Sequence, residues 1–185
     1  MPKTVLVFLA DGFEEVEAVT PVDFLRRAGI EAVTVAVGND KTVTGARGIP
    51  VVADKTLPEA AGLSYDAVVL PGGMPGSKNL AASDGVDAVV REATVKGRLI
   101  AAICAAPVVV LAPKGVLAGK QFTCFPGMEH EVSGATWRED KVVVDGNLIT
   151  SRGAGTAALF ALAIIEHVLS RDAAEKVGKA TLVLD

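Results

Sequence analysis

The sequence predicts an α/β protein, a mostly parallel central sheet with helices on both faces. Along its 185 residues, apolar strand-like runs alternate with helix-like segments, and the links between them are short; this order is typical of repeated βα units. Half of the residues are hydrophobic but only 4% are aromatic, as expected for buried parallel strands built from Val, Ala, Leu and Ile. The length suits one domain, residues 1–185, whose core needs neither disulfides nor metal.

The elements follow from local signals in chain order. The first strand is expected over residues 4–10, and Asp11 and Glu14 then have the spacing of a capping box before the first helix. That helix runs to about Ala28 and ends at Gly29, a residue suited to the left-handed position after a helix. A small hairpin is expected from 42–44 and 49–52. The other strands are expected over 31–37, 66–70, 99–103, 121–125, 142–144 and 148–150. The other helices are expected over 77–82, 85–96, from just after Cys104 to about Leu111, and over 155–169.

Charge and hydropathy exclude several classes of partner. The net charge is −4 and no basic block is present, so nucleic acid or an anionic membrane is not expected as the main partner. The apolar run over 157–165 is far too short to span a membrane, and the apolar start is too short for a signal peptide. Cys104 and Cys124 match neither a disulfide framework nor a zinc pattern. We therefore expect a cytoplasmic protein without a metal or other cofactor.

Cys104 is the principal candidate for chemistry. It ends an apolar strand, and Pro107 is well placed in the first turn of the helix that follows. Free backbone N–H groups and the positive end of the helix dipole meet at such a junction. They would lower the pKa of the thiol and make the thiolate the resting form. The arrangement resembles a nucleophile elbow, although the flanking glycines of that motif are absent. The alternative is a buried structural cysteine.

Two glycines are candidates for an oxyanion hole beside Cys104. Parallel strands place their carboxyl ends at one edge of the sheet, so the loops after residues 10, 70 and 103 should lie close together. Gly72 and Gly73 leave the backbone bare, and their N–H groups with that of Ala105 would stabilise a developing oxyanion. The alternative is an ordinary tight turn before a helix.

Glu17 is the candidate acid–base group. On the first helix it shares an otherwise apolar strip with Pro21, Phe24 and Ala28. A carboxyl group in such surroundings stays protonated to higher pH and can donate a hydrogen bond to a thiolate. The alternative is a surface carboxylate at the rim of the strip. Glu14 and Glu15 are better explained as charges in the first helical turn.

Four segments of the chain carry a family resemblance. They are Ala10-Asp-Gly-Phe-Glu-Glu-Val-Glu17, Val69-Leu-Pro-Gly-Gly73, Ala101-Ala-Ile-Cys-Ala105 and Thr150-Ser-Arg-Gly-Ala-Gly-Thr156. Together they resemble the ThiJ/PfpI superfamily and, within it, the DJ branch. The resemblance implies a flavodoxin-like three-layer sandwich, a homodimer, a reactive Cys104 hydrogen-bonded to Glu17, and an oxyanion pocket from Gly72, Gly73 and Ala105. It also implies that Arg47 and Arg152 approach this pocket across or beside the dimer interface, although Arg152 alone would suit a surface arginine.

The chain departs from the family at two positions. Ala105 stands where the protease-like branch has a histidine after the nucleophile, and Phe125 stands where the DJ branch has a histidine after a later strand. Phe125 cannot accept a proton. The two histidines, His130 and His167, are expected in a solvated loop and in a structural position on the last helix. A Cys–His protease is therefore not expected.

Two functions remain. The resemblance implies a cofactor-free glyoxalase or deglycase, in which the Cys104 thiolate adds to methylglyoxal, glyoxal or their early adducts on protein while Glu17 moves a proton. The alternative is a redox-sensing stress protein or chaperone, in which Cys104 is oxidised to a sulfinate. Both need the same reactive thiol, so the sequence favours neither strongly. The expected partners are small reactive aldehydes, glycated protein and a second copy of the chain.

Overall fold

The main sheet has seven strands, six of them parallel. A computed structural model describes residues 3–185. Its eleven strands are β1 (Thr4–Leu9), β2 (Glu31–Ala36), β3 (Thr42–Thr44), β4 (Pro50–Val52), β5 (Lys55–Thr56), β6 (Ala67–Leu70), β7 (Leu99–Ile103), β8 (Gln121–Phe122), β9 (Thr136–Trp137), β10 (Val142–Asp145) and β11 (Leu148–Ser151). The main sheet has the order β10-β11-β7-β6-β1-β2-β5, in which only β10 runs antiparallel to its neighbour. The β3–β4 hairpin and the β8–β9 pair form two small separate sheets.

Helices cover both faces of the main sheet. They are α1 (Glu15–Arg27), α2 (Leu57–Ala60), α3 (Gly76–Ala81), α4 (Asp84–Val95), α5 (Ala157–Val168) and α6 (Arg171–Ala180). A π-helical turn, Pro107–Leu111, follows β7. The buried residues of α1, α5 and α6 pack into one core, and those of α2, α3, α4 and the π-helical turn pack into the other. None of these described helices is long and apolar enough to cross a membrane.

The strands alternate between the two cores. In β1, the side chains of Val5, Val7 and Leu9 enter the core beside α1 and α5, whereas Leu6 and Phe8 enter the opposite core. All five are at most 2% exposed. Strands buried on both faces read as continuous apolar runs in a sequence, and this is why β1 could be recognised there.

The predicted fold class is confirmed, as a three-layer α/β structure with a mostly parallel sheet. Two predicted details are wrong. The N-cap of α1 is Glu14, whose carboxylate accepts from the Glu17 N–H at 2.8 Å. The Asp11 carboxylate instead accepts from the Thr44 N–H at 2.9 Å and thus holds β3. The strand expected over 121–125 ends at residue 122, because the next N–H, that of Thr123, donates to the Thr150 hydroxyl at 2.9 Å instead of to a strand. The Phe125 N–H donates to the Cys104 carbonyl, also at 2.9 Å.

Several short elements and the last helix were not predicted. Strands β5 and β9 have two residues each and α2 has four, too few for a periodic pattern. Helix α6 begins after Ser170, whose side chain accepts from the Ala173 N–H at 3.2 Å. This cap separates α6 from α5. The helix expected after Cys104 is present only as the π-helical turn, which begins at Pro107.

Removing a large side chain from the core beside α5 should destabilise the protein. Phe160 is 0% exposed, and we expect Phe160→Ala to lower the free energy of unfolding by about 3–5 kcal/mol through lost burial and the cavity left behind. The matched control is Val95→Ala, since Val95 is 87% exposed, and its effect should stay within about 0.5 kcal/mol. Urea unfolding measures both. Equal losses in the two variants would contradict this assignment of the core.

Candidate active site

Cys104 lies at a sharp turn at the carboxyl end of β7. Its φ is 64°, in the left-handed region that side chains with a Cβ rarely adopt. Two backbone hydrogen bonds hold this conformation: the Cys104 N–H donates to the Ser151 carbonyl, and the Cys104 carbonyl accepts from the Phe125 N–H, each at 2.9 Å. A left-handed non-glycine residue costs about 1–3 kcal/mol and persists only where neighbouring structure fixes it. The turn therefore has the strained geometry of a nucleophile elbow.

Glu17 lies next to the Cys104 thiol. It is 1% exposed, so the alternative of a surface carboxylate is wrong. Its Oε2 accepts from the Gly72 N–H at 2.9 Å, and its carboxyl group lies close enough to the Cys104 thiol for each group to shift the pKa of the other. The acid is thus positioned by the loop after β6 and faces the sulfur.

Only glycine fits the loop at positions 72 and 73. A Cβ on Gly72 would lie 2.5 Å from Glu17 Oε2 and 2.6 Å from the Cys104 Cβ. Gly73 has a φ of +89°, and a Cβ there would overlap the Glu14 amide. The bare backbone lets the Gly73 N–H, together with the Ala105 N–H, approach the Cys104 sulfur. The structure therefore places the N–H groups of Gly73 and Ala105 at the thiol, whereas the Gly72 N–H, the third expected oxyanion donor, is bonded to Glu17 instead.

Burial controls the ionisation of the acid. Removal from water raises the pKa of the Glu17 carboxyl from 4.5 to about 7, against the opposing effect of its hydrogen bond with Cys104. The charge of Glu14 adds to the rise, and the Gly72 N–H opposes it. A protonated Glu17 is thus accessible near neutral pH, in the direction that the sequence indicates.

Burial also controls the thiol, and here the expected resting thiolate is wrong. Removal from water, then the charge and hydrogen bond of ionised Glu17, raise the pKa of Cys104 to about 12. The N–H groups of Gly73 and Ala105 lower the pKa, but by less. Desolvation and the Glu17 carboxylate therefore outweigh the backbone amides, and the shift has the opposite sign to the one expected from the amides and the helix dipole alone.

The two expected arginines are not bonded to Cys104. Arg152 Nη1 donates to the Glu139 carbonyl at 2.9 Å and lies 3.8 Å from Glu139 Oε1. Arg47 is exposed, and its backbone N–H donates to Glu15 Oε1 at 2.7 Å. Whether either guanidinium acts on the pocket stays a prediction.

Glu15 is a structural residue that the sequence reasoning missed. It was interpreted as a first-turn charge, but it is 6% exposed and holds the loop between β3 and β4. A Cβ on Gly45 would overlap its carboxyl group, so the glycine at 45 was the available signal. This contact joins the start of α1 to the hairpin.

The other singled-out residues lie outside the contact between Cys104 and Glu17. Cys124 is fully buried and unpaired, and burial raises the pKa of its thiol to about 12. His130 has an 84% exposed side chain beside Glu129, and His167 lies in the last turn of α5. Within residues 3–185, no group of three or more His, Cys, Asp or Glu side chains is arranged to hold a metal ion.

Comparison with known proteins gives the family. The DJ-1/PfpI family model matches residues 3–167. The chain belongs to the DJ-1/PfpI family. A similar curated relative is Protein DJ-1 homolog B of Arabidopsis thaliana, 44% identical over 97% of this chain. The chain spans 41% of that relative, which is less than half of its length.

Relatives of similar length also match. The crystal structure of Drosophila melanogaster DJ-1beta superposes with a TM-score of 0.95 at 42% identity and covers 100% of both chains. A Schizosaccharomyces pombe relative, named glutathione-independent glyoxalase DJ-1, is 36% identical over 95% of this chain and 96% of its own length. The DJ-1/PfpI fold thus extends along this whole chain.

The raised pKa of Glu17 predicts a pH-dependent loss of stability. A carboxyl group with a folded pKa above its unfolded value stabilises the fold fully below the unfolded value of 4.5, and this contribution is lost as pH rises through about 7. The free energy of unfolding of the wild type, relative to Glu17→Gln, should therefore fall by about 3 kcal/mol between pH 4.5 and 8. Urea unfolding across this range measures the difference. A pH-independent difference would show that Glu17 titrates normally.

Proposed function

We propose that this DJ-1/PfpI protein is a cysteine-dependent glyoxalase or deglycase that acts without a cofactor on methylglyoxal, glyoxal and their early adducts on protein. The observation that carries the proposal is the contact between the buried Glu17 carboxyl and the Cys104 thiol, beside two backbone N–H donors. The name of the fission yeast relative supports the same activity. A nucleophile, a proton carrier and oxyanion donors are the groups that this reaction requires.

The first step forms a carbon–sulfur bond. Glu17 accepts the Cys104 proton as the sulfur attacks the aldehyde carbon of methylglyoxal. Once protonated, the carboxyl no longer repels a charge on sulfur and can donate its O–H instead, which favours the anion. The N–H groups of Gly73 and Ala105 stabilise the oxyanion that develops on the substrate. Transfer of the proton from Glu17 to that oxygen completes a hemithioacetal.

The remaining steps move one proton between carbons and release the product. Ionised Glu17 removes the proton from the former aldehyde carbon and returns it to the neighbouring carbon, while the hydroxyl proton of the hemithioacetal moves to the ketone oxygen. The ketone is thereby reduced to the alcohol of the product, and the hemithioacetal carbon is oxidised to a thioester. Water then cleaves the thioester to lactate and restores the Cys104 thiol. The sequence needs no external oxidant or reductant. Early adducts enter the same path when the amine or thiol of the modified protein leaves.

A second function uses the same sulfur. Two molecules of peroxide would oxidise the Cys104 thiolate to a sulfinate and leave two molecules of water. The observation favouring this function is that the sulfur already faces the N–H groups of Gly73 and Ala105 and the Glu17 carboxyl, which can all donate to sulfinate oxygens. Such a protein would act as a redox-sensing stress protein or chaperone. The free thiols Cys104 and Cys124 suit a reducing compartment, and we propose the cytoplasm.

We also propose that the protein forms a homodimer through α1 and the β3–β4 hairpin. Four apolar side chains of this surface are about half or more exposed: Val16, Val19, Ile49 and Val52, at 47%, 50%, 55% and 72%. Val19 and Val52 line one shared cavity, so the helix and the hairpin lie side by side at this surface. Such a patch is typical of a protein contact, and the resemblance to dimeric relatives points to a second copy.

Lactate formation tests the enzyme. With methylglyoxal and no glutathione, we expect the wild type and Cys124→Ala to produce lactate and Cys104→Ala to fall to the uncatalysed background, because only Cys104 contacts Glu17. Chiral analysis of lactate separates enzymatic from spontaneous product. Equal lactate from Cys104→Ala would remove the catalytic proposal, and selective peroxide oxidation of Cys104 without lactate would favour the sensor.

Glu17→Gln should change reactivity and turnover in opposite directions. Loss of the carboxylate charge should lower the pKa of Cys104 from its raised value of about 12, whereas loss of proton transfer should reduce kcat by roughly 10²–10⁴-fold. The pH dependence of Cys104 alkylation, followed by mass spectrometry, reports the thiol pKa. An unchanged kcat would exclude Glu17 as the proton carrier.

The dimer is tested by charge in the apolar surface. We expect the wild type to sediment as a dimer at micromolar concentration and Val19→Asp to sediment as a monomer, because a carboxylate would be desolvated in the contact. Val95→Asp, on the exposed side of α4, is the matched control and should remain dimeric. A monomeric wild type would overturn the proposal.

A further inference from the structure

Phe125 is a large apolar side chain beside the reactive pair. It is 50% exposed, while its backbone N–H is fixed by the hydrogen bond to the Cys104 carbonyl at 2.9 Å. The backbone is therefore tied to the nucleophile and the ring remains open to solvent. An exposed phenylalanine at such a place has apolar surface available for a ligand.

The bare backbone of Gly153 separates this ring from the acid. A Cβ built on Gly153 would lie 3.7 Å from Phe125 Cδ2 and 3.8 Å from Glu17 Oε1. The ring edge and the carboxyl oxygen are thus both within van der Waals range of one point that holds no side chain. Gly153 therefore leaves open space between the acid that acts on Cys104 and the ring of Phe125.

The ring offers contact but no proton chemistry. A phenyl group neither donates nor accepts a proton, and Glu17 already fills the acid–base role in the proposed reaction. What the ring adds is apolar area and a π face, which favour aromatic or bulky apolar groups over small hydrated ones.

From this geometry we infer that Phe125 is a specificity-determining residue that selects 2-oxoaldehydes carrying an aromatic or large apolar substituent. The inference rests on the proposed function and deepens it by naming the substrate class. The aldehyde carbon bonds to Cys104, the acid faces the reacting carbons, and the substituent packs on the Phe125 ring over Gly153.

Kinetics with two substrates test the inference. For phenylglyoxal relative to methylglyoxal, the ratio of kcat/KM values should fall roughly 10-fold in Phe125→Ala, as expected for loss of one aromatic pair and its buried area. Phe125→Tyr keeps the ring and should keep the ratio within about twofold. An unchanged ratio in Phe125→Ala, with activity present, overturns the inference and leaves the proposed function standing.

A second measurement does not need turnover. Cys104 is alkylated with iodoacetamide and with its N-phenyl analogue iodoacetanilide, and mass spectrometry gives the two rates in each variant. The ratio of the phenyl rate to the unsubstituted rate should fall several-fold in Phe125→Ala and be restored in Phe125→Tyr, because only the ring contact differs. A fall without any lactate formation would support the aromatic contact while rejecting the glyoxalase. An equal ratio in all three proteins would overturn the inference.

Discussion

The hydrogen bond from the Gly72 N–H to the buried Glu17 carboxyl is the constraint on which the site depends. It joins α1 to the loop after β6, and Cys104 at the end of β7 packs against both. A side chain at position 72 would overlap the acid and the nucleophile together. The parallel sheet makes this contact possible, because the carboxyl ends of β1, β6 and β7 meet at one edge. Chemistry at this edge therefore follows from strand order as much as from residue identity.

The surroundings of Glu17 and Cys104 combine burial, which disfavours charge, with backbone amide donors, which favour it. Desolvation raises the pKa of both Glu17 and Cys104, so the fold disfavours charge on either group. The same surroundings provide amide donors from Gly73 and Ala105, which in the proposed reaction would stabilise charge on the sulfur or on the substrate oxygen. Backbone hydrogen bonds with Ser151 and Phe125 hold Cys104 in its left-handed conformation. The site thus resembles others in which a fold retains an unfavourable conformation where chemistry takes place.

Two residues near Glu17 and Cys104 differ in burial: Glu15 is buried and holds a loop in place, whereas Phe125 is half exposed. Glu15 lies outside the reaction but ties the β3–β4 loop to α1, and this contact connects the site to the apolar surface proposed for dimer contact. On the open side, Phe125 stands with half of its surface exposed next to the bare backbone of Gly153. In the proposed reaction, the buried Glu17 and Cys104 would carry out the chemistry, and the exposed Phe125 ring would select the aldehydes that bind.

The sequence by itself determined the layered fold, the sharp turn at Cys104 and the loops that place Glu17, Gly72 and Gly73 beside it. These were readable because continuous apolar runs, helix-ending glycines and an acid on an apolar strip are local patterns. It did not determine the ionisation of Cys104, which is set by desolvation and by a carboxylate 87 positions away in the chain. Nor did it reveal that Glu15 is buried, that Arg152 is bonded to Glu139, or that α6 follows α5. Burial and contacts between distant segments arise only when the sheet is assembled, and only the tertiary structure decides them.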